Sequence, residues 1–388
     1  MLRLLHTADI HLGARHSDLG EQAAAQRERQ FAAFRRSVDL ALEERVDLFL
    51  IAGDLFDSNT QPRRSVDRVA AELRRLTQAA IRVVIIPGTH DCYDRSSIYR
   101  AHDLAALAGV PPGGDMLVVL TPERPDVVLP TLDAVVYGRV FATKRAPQSP
   151  LHGFDVRGET RATWRIGMIH GALSIPGMTD GDEVVIDANE IATSGLDYLA
   201  LGHWHSTLTA RAGDVQYGYS GAPEPVAVDQ DRAGNVLLVT LDLVNGVRTV
   251  TVQERVVGRT RFERLDLDAA ELSTQAAFVA RLIAQADPDL VLDVRLTGVR
   301  PDELDLDVDE VEAAVGGSFH KVRIRDASVP ALSSGPLPPL DTISGAFIRD
   351  VEARIAELES SEDGTAAREL RDVLRLGRLL LSGQEVIL

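Results

Sequence analysis

The first 220 residues alternate short apolar runs with longer amphipathic stretches. The apolar runs are rich in β-branched residues and end at turn residues, so they predict strands. They cover residues 2–5, 48–52, 83–86, 134–137, 166–169 and 198–201. Two amphipathic stretches, 24–45 and 62–79, repeat apolar side chains at helical spacing and predict helices. This alternation predicts an α/β layered domain.

The pattern changes at about residue 215, where strands follow one another without helices. A hairpin is predicted around Asn245-Gly246, because Asn-Gly suits a two-residue turn between antiparallel strands. Residues 259–330 predict a small α+β module, with a helix around 270–285. Its strands are predicted at 262–267, 291–296 and 322–324.

The last part of the chain predicts a linker and two helices. Residues 328–341 hold four prolines and three serines, a composition typical of a linker. Amphipathic helices are expected at about 343–359 and 365–382, with a turn at Asp363-Gly364. We therefore expect three parts, whose limits are residues 1–258, 259–330 and 331–388.

Composition narrows the class of protein. The 388 residues include one cysteine, Cys92, which excludes a disulfide framework within the chain and cysteine-rich zinc modules. No apolar run approaches the roughly 20 residues that span a bilayer. The N-terminus lacks the charged and apolar regions of a signal peptide. We expect a cytoplasmic protein without membrane association.

The formal net charge of −17 argues at first against a nucleic-acid partner. Its distribution weakens that argument, because residues 1–110 contain 15 arginines and 15 acidic residues and are neutral overall. The excess of acid lies downstream, with seven acidic residues in 302–312 alone. A neutral first part that binds divalent cations can approach a phosphate backbone.

Side chains that bind metals follow five of the predicted strands. Because the ends of parallel strands meet at one edge of a sheet, groups distant in sequence are expected to share one pocket. The motifs are Asp9-Ile-His11, Gly53-Asp54, Gly88-Thr-His90-Asp91, His170-Gly171 and Gly202-His203-Trp-His205. Alone, each of these is typical of an ordinary turn or of a core histidine, but five in this arrangement favour a metal site.

The candidate ligands suffice for two metal ions. Two carboxylates and four imidazoles are offered by Asp9, His11, Asp54, His170, His203 and His205. A bridging carboxylate suits two cations about 3.5–4 Å apart, as in two-metal hydrolases. Mixed nitrogen and oxygen ligands favour Mn, Fe or Zn over Mg. His90 is not needed as a ligand and suits proton donation to a leaving oxygen, with Asp91 as the carboxylate expected to hold it.

The five motifs resemble those of calcineurin-like metallophosphoesterases. The segments His6-Thr-Ala-Asp-Ile-His-Leu-Gly13 and Ala52-Gly-Asp-Leu-Phe-Asp57 are similar, more narrowly, to SbcD-type DNA repair nuclease subunits. The resemblance covers residues 1–225 by motif, and the rest of the chain by architecture only. It implies a four-layer α/β sandwich with a small α+β capping domain and a C-terminal helical pair.

The resemblance also implies roles for the site residues. Asp9, His11, Asp54 and His205 would hold the first metal, His170 and His203 the second, and Asp54 would bridge them. His90 would be the catalytic histidine. The family has Asn where this chain has Thr89, whose hydroxyl is one bond nearer the backbone and a weaker ligand for the second metal.

The expected function is that of a Mn-dependent DNA exonuclease and endonuclease subunit. An activated water would attack phosphorus in line, and His90 would protonate or stabilise the leaving sugar oxygen. The expected partners are DNA, an SbcC-like coiled-coil ATPase bound by the C-terminal helices, and a second copy in a homodimer. Candidate phosphate contacts are Arg64, Arg68, Arg95 and Arg100.

Two alternative functions remain open on sequence grounds. The first is a phosphodiesterase or phosphatase for small nucleotides, which would use the same metals but give the cap and the helix pair no purpose. The second is a weakly catalytic scaffold that binds an ATPase or DNA ends, and Thr89 is its only support. Metal-dependent turnover of DNA would separate the expected function from both.

Overall fold

The computed structural model describes residues 1–146, 148–175, 179, 184–227, 230, 232–301, 304–330, 338–360 and 364–381. Contacts divide the chain into two units, Met1–Thr260 and Arg261–Leu388. The further boundary at residue 330 stays a prediction, and half of the predicted linker, residues 331–337, lies outside the described residues. In the described ranges, no helix combines the length and apolarity needed to cross a bilayer.

The first unit alternates strands and helices as predicted. Its strands are β1 (Leu2–Thr7), β2 (Leu48–Ala52), β3 (Arg82–Ile86), β4 (Leu117–Val119), β5 (Asp126–Leu129), β6 (Ala134–Gly138), β7 (Trp164–His170), β8 (Ala172–Leu173), β9 (Val185–Ile186), β10 (Tyr198–Gly202), β11 (Leu208–Ala212), β12 (Val215–Tyr219), β13 (Asn235–Val244) and β14 (Val247–Val256). Its helices are α1 (Ala23–Glu43), α2 (Arg63–Gln78), α3 (Ile98–Ala101), α4 (Leu104–Leu107) and α5 (Ala188–Thr193).

Two six-stranded sheets form the framework. One has the order β14-β13-β1-β2-β3-β4 and the other the order β11-β12-β10-β7-β6-β5. Strands β1 to β4 are mutually parallel, as are β6, β7, β10 and β12. Their carboxyl ends therefore lie at one edge of each sheet, which is the edge where the metal-type motifs follow.

Alternation within the strands builds the layers. Leu48 and Leu50 of β2 pack in a core shared with strands of the second sheet, whereas Phe49 and Ile51 pack in a core shared with α1 and α2. A third core covers the other face of the second sheet and includes Ile191 of α5. Because parallel strands buried on both faces need apolar residues throughout, these runs are continuous. The predicted four-layer sandwich is confirmed.

The predicted hairpin is also confirmed. Val244 and Val247 are partners across a two-residue loop. Asn245 and Gly246 have φ values of 52° and 79°, the left-handed conformation that a type I′ turn requires at both central positions.

The second unit contains a parallel sheet with the order β15-β16-β18. Its strands are β15 (Arg261–Asp268), β16 (Asp287–Thr297), β17 (Val299–Arg300), β18 (Phe319–Asp326) and β19 (Val329–Pro330), and its helices are α6 (Gln275–Ile283), α7 (Val308–Val315), α8 (Ile343–Ser360) and α9 (Gly364–Leu381). Helix α7 was not predicted. Its sequence is acidic, but Val311 and Val315 lie on one face and are fully buried. The pair β17–β19 shows that the linker begins later than residue 328.

The two last helices pack against each other. Ile348 and Val351 of α8 are buried, and the ring of Phe347 lies where a Cβ on Gly377 of α9 would collide with it. Glycine costs a helix about 1 kcal/mol relative to alanine, and here its lack of a side chain admits the ring. Gly364 begins α9 rather than lying in the predicted turn, while Asp363 is outside the described residues.

Candidate metal centre

The strand registers bring the motifs together. Ala52 pairs with Ile86 at the ends of β2 and β3, and Gly202 pairs with His170 at the ends of β10 and β7. The backbone N–H of His203 donates hydrogen bonds to Asp9 Oδ1 and Oδ2, at 2.9 and 3.1 Å. The carboxyl edges of the two sheets therefore lie next to each other, and motifs from both sheets contribute to one site.

Four candidate ligands have left-handed backbone conformations. Asp9, His11 and Asp54 have φ values of 52°, 49° and 51°, and His203 has a φ of 103°. Non-glycine residues rarely adopt positive φ, and such strain collects at functional sites where the surrounding structure holds it. Here two loops hold each other, because the N–H groups of Asp9 and His11 donate to the carbonyls of Gly53 and Asp54, at 3.1 and 2.9 Å.

Glycines leave room for the side chains of this cluster. A Cβ on Gly53 would collide with the ring of His170, and its φ of 93° independently favours glycine. A Cβ on Gly88 would collide with the carboxylate of Asp54. The glycines of the sequence motifs therefore allow ligands from different strands to approach one another closely.

Asp9, His11 and His205 form the first candidate metal group. Their ligand atoms all lie within 4.8 Å of one another. Nε2 of His11 and Nε2 of His205 are 3.1 Å apart, so two imidazole nitrogens face the same small volume. Burial, followed by the nearby His11, lowers the pKa of His205 to about 3, which keeps that ring neutral and able to bind a cation.

Asp9, Asp54 and His170 form the second candidate group, by the same distance limit. Nδ1 of His170 lies 3.0 Å from the carbonyl oxygen of Ala52, and a carbonyl only accepts, so Nδ1 carries the proton. Nε2 of His170 is buried, makes no hydrogen bond in the described structure, and lies 3.2 Å from Asp54 Oδ2. In the neutral ring this nitrogen has a lone pair that a divalent cation would satisfy, so the donor set fits a metal.

Asp54 stands between the two groups. Its Oδ2 is 3.2 Å from His170 Nε2 and 3.7 Å from His11 Nε2. Its Oδ1 accepts a hydrogen bond from the backbone N–H of His90 at 2.8 Å. One carboxylate oxygen thus faces a histidine of each group, which is the arrangement that a bridging ligand needs.

The charges of the cluster depend on one another. Burial raises the pKa of Asp9 to about 7. Burial would lower the pKa of His170, but the carboxylates of Asp54 and Asp9 outweigh it and raise that pKa to about 10. Burial would raise the pKa of Asp54, but His170 and His11 outweigh this effect and lower that pKa below its usual range. The two carboxylates therefore favour positive charge at His170, and a bound cation would supply that charge instead.

His203 and Thr89 lie beside these groups. The His203 ring stands edge-on to His170, with centroids 5.5 Å apart, and among the described residues it is in none of the three groups that meet the distance limit. Thr89 is 8% exposed and lies between Gly88 and His90, whose N–H groups both donate to carboxylates. The ligand roles of His203 and Thr89 remain predictions.

His90 is half-exposed and lies against His11, with ring centroids 4.7 Å apart. Its Nδ1 is 3.1 Å from the carbonyl oxygen of Asp57 and 3.8 Å from the Asp57 carboxylate. Asp57 therefore holds the His90 ring, in the place that was expected for Asp91. With Nδ1 directed to a carbonyl, Nε2 is the nitrogen of His90 that is available to the site.

Asp91 has a different position from the one expected. Its carboxylate is fully buried and accepts hydrogen bonds from the backbone N–H groups of Gly88 and Phe56, at 2.7 and 3.1 Å, and from the Tyr99 hydroxyl at 2.5 Å. These hydrogen bonds use both carboxylate oxygens of Asp91, and none of them involves the ring of His90. Asp91 ties the loop that carries His90 to the loop that follows Asp54.

Two residues of the site were not found from the sequence. The Asp57 carboxylate is 3.3 Å from Nδ1 of His11, and His11, Asp57 and His90 form a third group of possible ligands. The amide nitrogen of Gln230 lies 2.6 Å from Nδ1 of His205, and Oε1 of Gln230 accepts from the Val226 N–H at 2.8 Å. Asp57 follows Asp54 by three residues, a spacing that could have signalled it. No comparable signal marks Gln230.

The four arginines predicted to contact phosphate do not all share one environment. Arg68 makes two hydrogen bonds to Glu28 and lies 3.7 Å above the ring of Phe31. Arg64 lines the same cavity of about 260 Å³ as Arg68, together with Arg27. Arg100 lies over the ring of Tyr93, at 4.1 Å, and Arg95 is exposed. The DNA-contact role of all four remains a prediction.

Comparison with known proteins identifies the family. A profile of the calcineurin-like phosphoesterases matches residues 2–207. The chain is 30% identical to the DNA double-strand break repair protein Mre11 of Aeropyrum pernix, over 70% of this chain and 64% of that protein. It is 25% identical to Mre11 of Halobacterium salinarum, over 95% and 97% of the two chains. It is 27% identical to a subunit of the nuclease SbcCD of Rhodobacter capsulatus, over 59% and 64%. The chain thus spans less than two thirds of the A. pernix and R. capsulatus proteins.

Proposed function

The chain belongs to the calcineurin-like phosphoesterase family, and we propose that it is the nuclease subunit of an SbcCD-like DNA repair complex, hydrolysing phosphodiester bonds of DNA with two divalent metal ions. One observation carries the proposal. Asp54 Oδ2 lies within 4 Å of a histidine from each of two candidate metal groups, His11 and His170. The family and the names of the relatives support a phosphoesterase of DNA repair.

The side chains support two adjacent cation sites. Asp9, His11, Asp54 and His205 would hold the first metal, and Asp54, His170 and His203 the second, with Thr89 as a weak additional ligand. Mixed imidazole and carboxylate ligands suit Mn²⁺. Two such cations, when bound, would bind a phosphate and supply positive charge where negative charge develops during phosphoryl transfer.

His90 would protonate the leaving sugar oxygen. Its Nδ1–H is held by the Asp57 carbonyl, so its Nε2 is the nitrogen that can hold and release a proton in the site. Its half-exposed ring allows a substrate to reach it. His11 and His90 are in edge-on contact, so the leaving group would be protonated next to the metal centre.

DNA is proposed as the substrate because the relatives that align with this chain are named for DNA break repair or as part of an SbcCD nuclease. The arginine-lined cavity of Arg27, Arg64 and Arg68 supports this, since it offers guanidinium groups close to the chain segment Leu12–Gly13 that follows His11. Arg95 and Arg100 would extend the phosphate contacts on the other side of His90. We also propose that two copies of this chain associate as a homodimer.

The proposed partner is a coiled-coil ATPase that docks on the last two helices. Val373, Leu380 and Leu381 of α9 are 47%, 55% and 41% exposed, although the α8–α9 pair buries other apolar side chains. A partner helix is a suitable cover for such a stripe. Deleting residues 335–388 should abolish co-purification with the ATPase and leave nuclease activity, whereas a deletion that also abolishes metal binding would contradict this assignment.

The nuclease function is tested with the purified chain. We expect Mn²⁺-dependent degradation of linear double-stranded and single-stranded DNA, lost in Asp54→Asn and unchanged in the exposed control Asp67→Asn. Cyclic nucleotides and phosphomonoesters serve as competing substrates. Turnover of a cyclic nucleotide with no action on DNA would overturn the proposal in favour of a small-nucleotide phosphodiesterase, and absence of any metal-dependent turnover would favour a scaffold.

A further inference from the structure

His16 is a buried histidine for which neither the sequence motifs nor the proposed reaction has a use. It is 7% exposed and lies five residues after His11, at the start of the short 3₁₀ helix Ser17–Gln22. Its φ is 49°, a left-handed conformation shared with His11 and Asp54 in the same region. The surrounding fold therefore stabilises His16 in a backbone conformation that is unfavourable for a non-glycine residue.

One side of the His16 ring is anchored. Nε2 lies 2.9 Å from Oε1 of Gln30, a residue that is fully buried in α1. An amide oxygen only accepts, so Nε2 carries the proton of this bond. The anchor fixes both the ring orientation and the nitrogen that remains available.

The other side of the ring faces a cavity. Nδ1 of His16 has no hydrogen-bond partner in the described residues and is not among their fully buried unpaired atoms, so it retains access to open space. The cavity that His16 lines has a volume of about 300 Å³ and is also bounded by His11, Asp57, His90 and His205. That volume lies at the lower end of the range for ligand pockets, which suits one small ligand or one unit of a polymer.

We propose that His16 is a substrate-contacting residue that binds the nucleotide flanking the scissile phosphate through its Nδ1. This inference rests on the proposed function. The scissile phosphate would lie on the metal groups, and His16 belongs to none of those found in the described residues. What reaches His16 across the cavity is therefore the nucleotide attached to that phosphate. Nδ1 accepts from a sugar hydroxyl or a base amino group when the ring is neutral, and donates to a phosphate oxygen when it is charged.

The neighbours of His16 fit a polar, charged ligand. Arg15, Ser17 and Asp18 line the same cavity and place charged and hydroxyl groups beside His16, while Ala14 and Val226 contribute apolar surface. Arg27 donates to the carbonyl oxygen of Arg15 at 3.1 Å, and Arg27 also lines the arginine cavity described above. A strand that passes His16 would therefore continue toward those arginines.

The test uses the full chain and two substrates. Linear DNA has flanking nucleotides, whereas bis(p-nitrophenyl) phosphate has the reactive phosphodiester alone. The variants are His16→Asn, because asparagine tolerates positive φ, and Gln30→Met, which releases the ring without altering His16. His152→Asn, at an exposed histidine of the same unit, is the matched control. Binding of a hydrolysis-resistant phosphorothioate dinucleotide and of Mn²⁺ is measured by calorimetry.

The expected result separates substrate contact from metal binding. In His16→Asn, the KM for DNA and the Kd of the dinucleotide should rise about tenfold, as for loss of one hydrogen bond. Gln30→Met should shift both in the same direction. The rate on bis(p-nitrophenyl) phosphate and the Kd for Mn²⁺ should stay within about twofold of the wild-type values. This limit is small compared with the roughly tenfold change expected for the loss of one hydrogen bond.

Two outcomes would overturn the assignment. If dinucleotide binding is unchanged in His16→Asn, or is absent in the wild type, His16 does not contact substrate. If Mn²⁺ binding and both activities fall together, His16 supports the metal centre instead. A wild type that hydrolyses bis(p-nitrophenyl) phosphate but not DNA would contradict the nuclease function only, since dinucleotide binding still decides the role of His16.

Discussion

The carboxylate of Asp57 lies 3.3 Å from Nδ1 of His11, and so determines which nitrogen His11 directs at the metal centre. Burial would lower the pKa of His11, but the bond to Asp57 and the nearby Asp54 outweigh it and raise that pKa. Carboxylate–histidine pairs of this kind orient a ligand and increase its basicity. Asp57 is thus coupled to the first candidate metal group although it belongs to none of the five motifs.

Replacing Asp57 by asparagine should weaken the first metal site. The amide keeps the size of the side chain but removes the negative charge that supports His11. Loss of such a partner typically costs 10–100-fold in metal affinity, so we expect a rise in the Mn²⁺ Kd of roughly that size. Calorimetry measures it, with Asp67→Asn as the control on an exposed ion pair. An unchanged Kd would show that His11 is oriented without Asp57.

His90 should affect turnover rather than metal binding. The His90 ring is half-exposed and held by the carbonyl of Asp57, while its backbone N–H, which any residue retains, contacts Asp54. We therefore expect His90→Asn to lower kcat by about 10²–10⁴, the range typical of one acid–base group, with the Mn²⁺ Kd nearly unchanged. His205→Ala should instead lose metal. Loss of metal in His90→Asn would make His90 a ligand.

Tyr99→Phe tests whether Asp91 stabilises the loop or takes part in the chemistry. The change removes one of three hydrogen bonds to a fully buried carboxylate. We expect the free energy of unfolding to fall by about 2 kcal/mol, as for a hydrogen bond to a charged group, with little change in kcat. Urea titration and steady-state kinetics measure the two effects. A tenfold lower kcat at unchanged stability would assign Asp91 to catalysis.

The strand-end motifs were predictable because they depend on strand register. His170 and Gly202 pair at the ends of neighbouring parallel strands, and parallel pairing alone brings such ends together. The contacts of Asp57 and His16 depend instead on loops in which His11, His16 and Asp54 have positive φ. The periodicity of strands and helices carries no information about such loops, so the contacts that Asp57 makes with His11 and His90, and the cavity wall at His16, appear only in three dimensions.

The missed helix α7 has a related physical cause. Its segment is strongly acidic, and charge dominated the sequence pattern. The side chains that fix it are Val311 and Val315, and Asp307 caps its N-terminus by accepting from the N–H of Glu310 at 3.0 Å. Asp309 and Glu310 in the first turn stabilise the helix through its dipole. The same acidic residues made the helix difficult to predict from the sequence.

His6 should make the metal-free protein sensitive to acid. Burial lowers its pKa to about 3 from the usual 6.5, and Tyr198 is 2.9 Å from its Nδ1. Between pH 6.5 and about 3 the unfolded chain binds one proton more at this residue, so the free energy of unfolding falls as the pH falls. His6→Gln, which does not titrate, should reduce that slope by about 1.4 kcal/mol per pH unit. Equal slopes in urea titrations at pH 4, 5 and 6 would contradict this.

Thr89 should limit the second metal site. Thr89 is 8% exposed, between Gly88 and His90, whose N–H groups are fixed by Asp91 and Asp54, so the loop cannot easily move to shorten the reach of its hydroxyl. Asparagine carries its amide oxygen one atom further from the backbone. We therefore expect Thr89→Asn to tighten the second Mn²⁺ and to lower the Mn²⁺ concentration for half-maximal activity, with the first site nearly unchanged. Thr89→Val, which is similar in shape but lacks the hydroxyl, is the matched control. If water takes the place of the Thr89 hydroxyl at the second metal in the wild type, Thr89→Val should bind Mn²⁺ as the wild type does. Calorimetry that finds two equally tight sites in the wild type would show that Thr89, or another residue, already completes the second site.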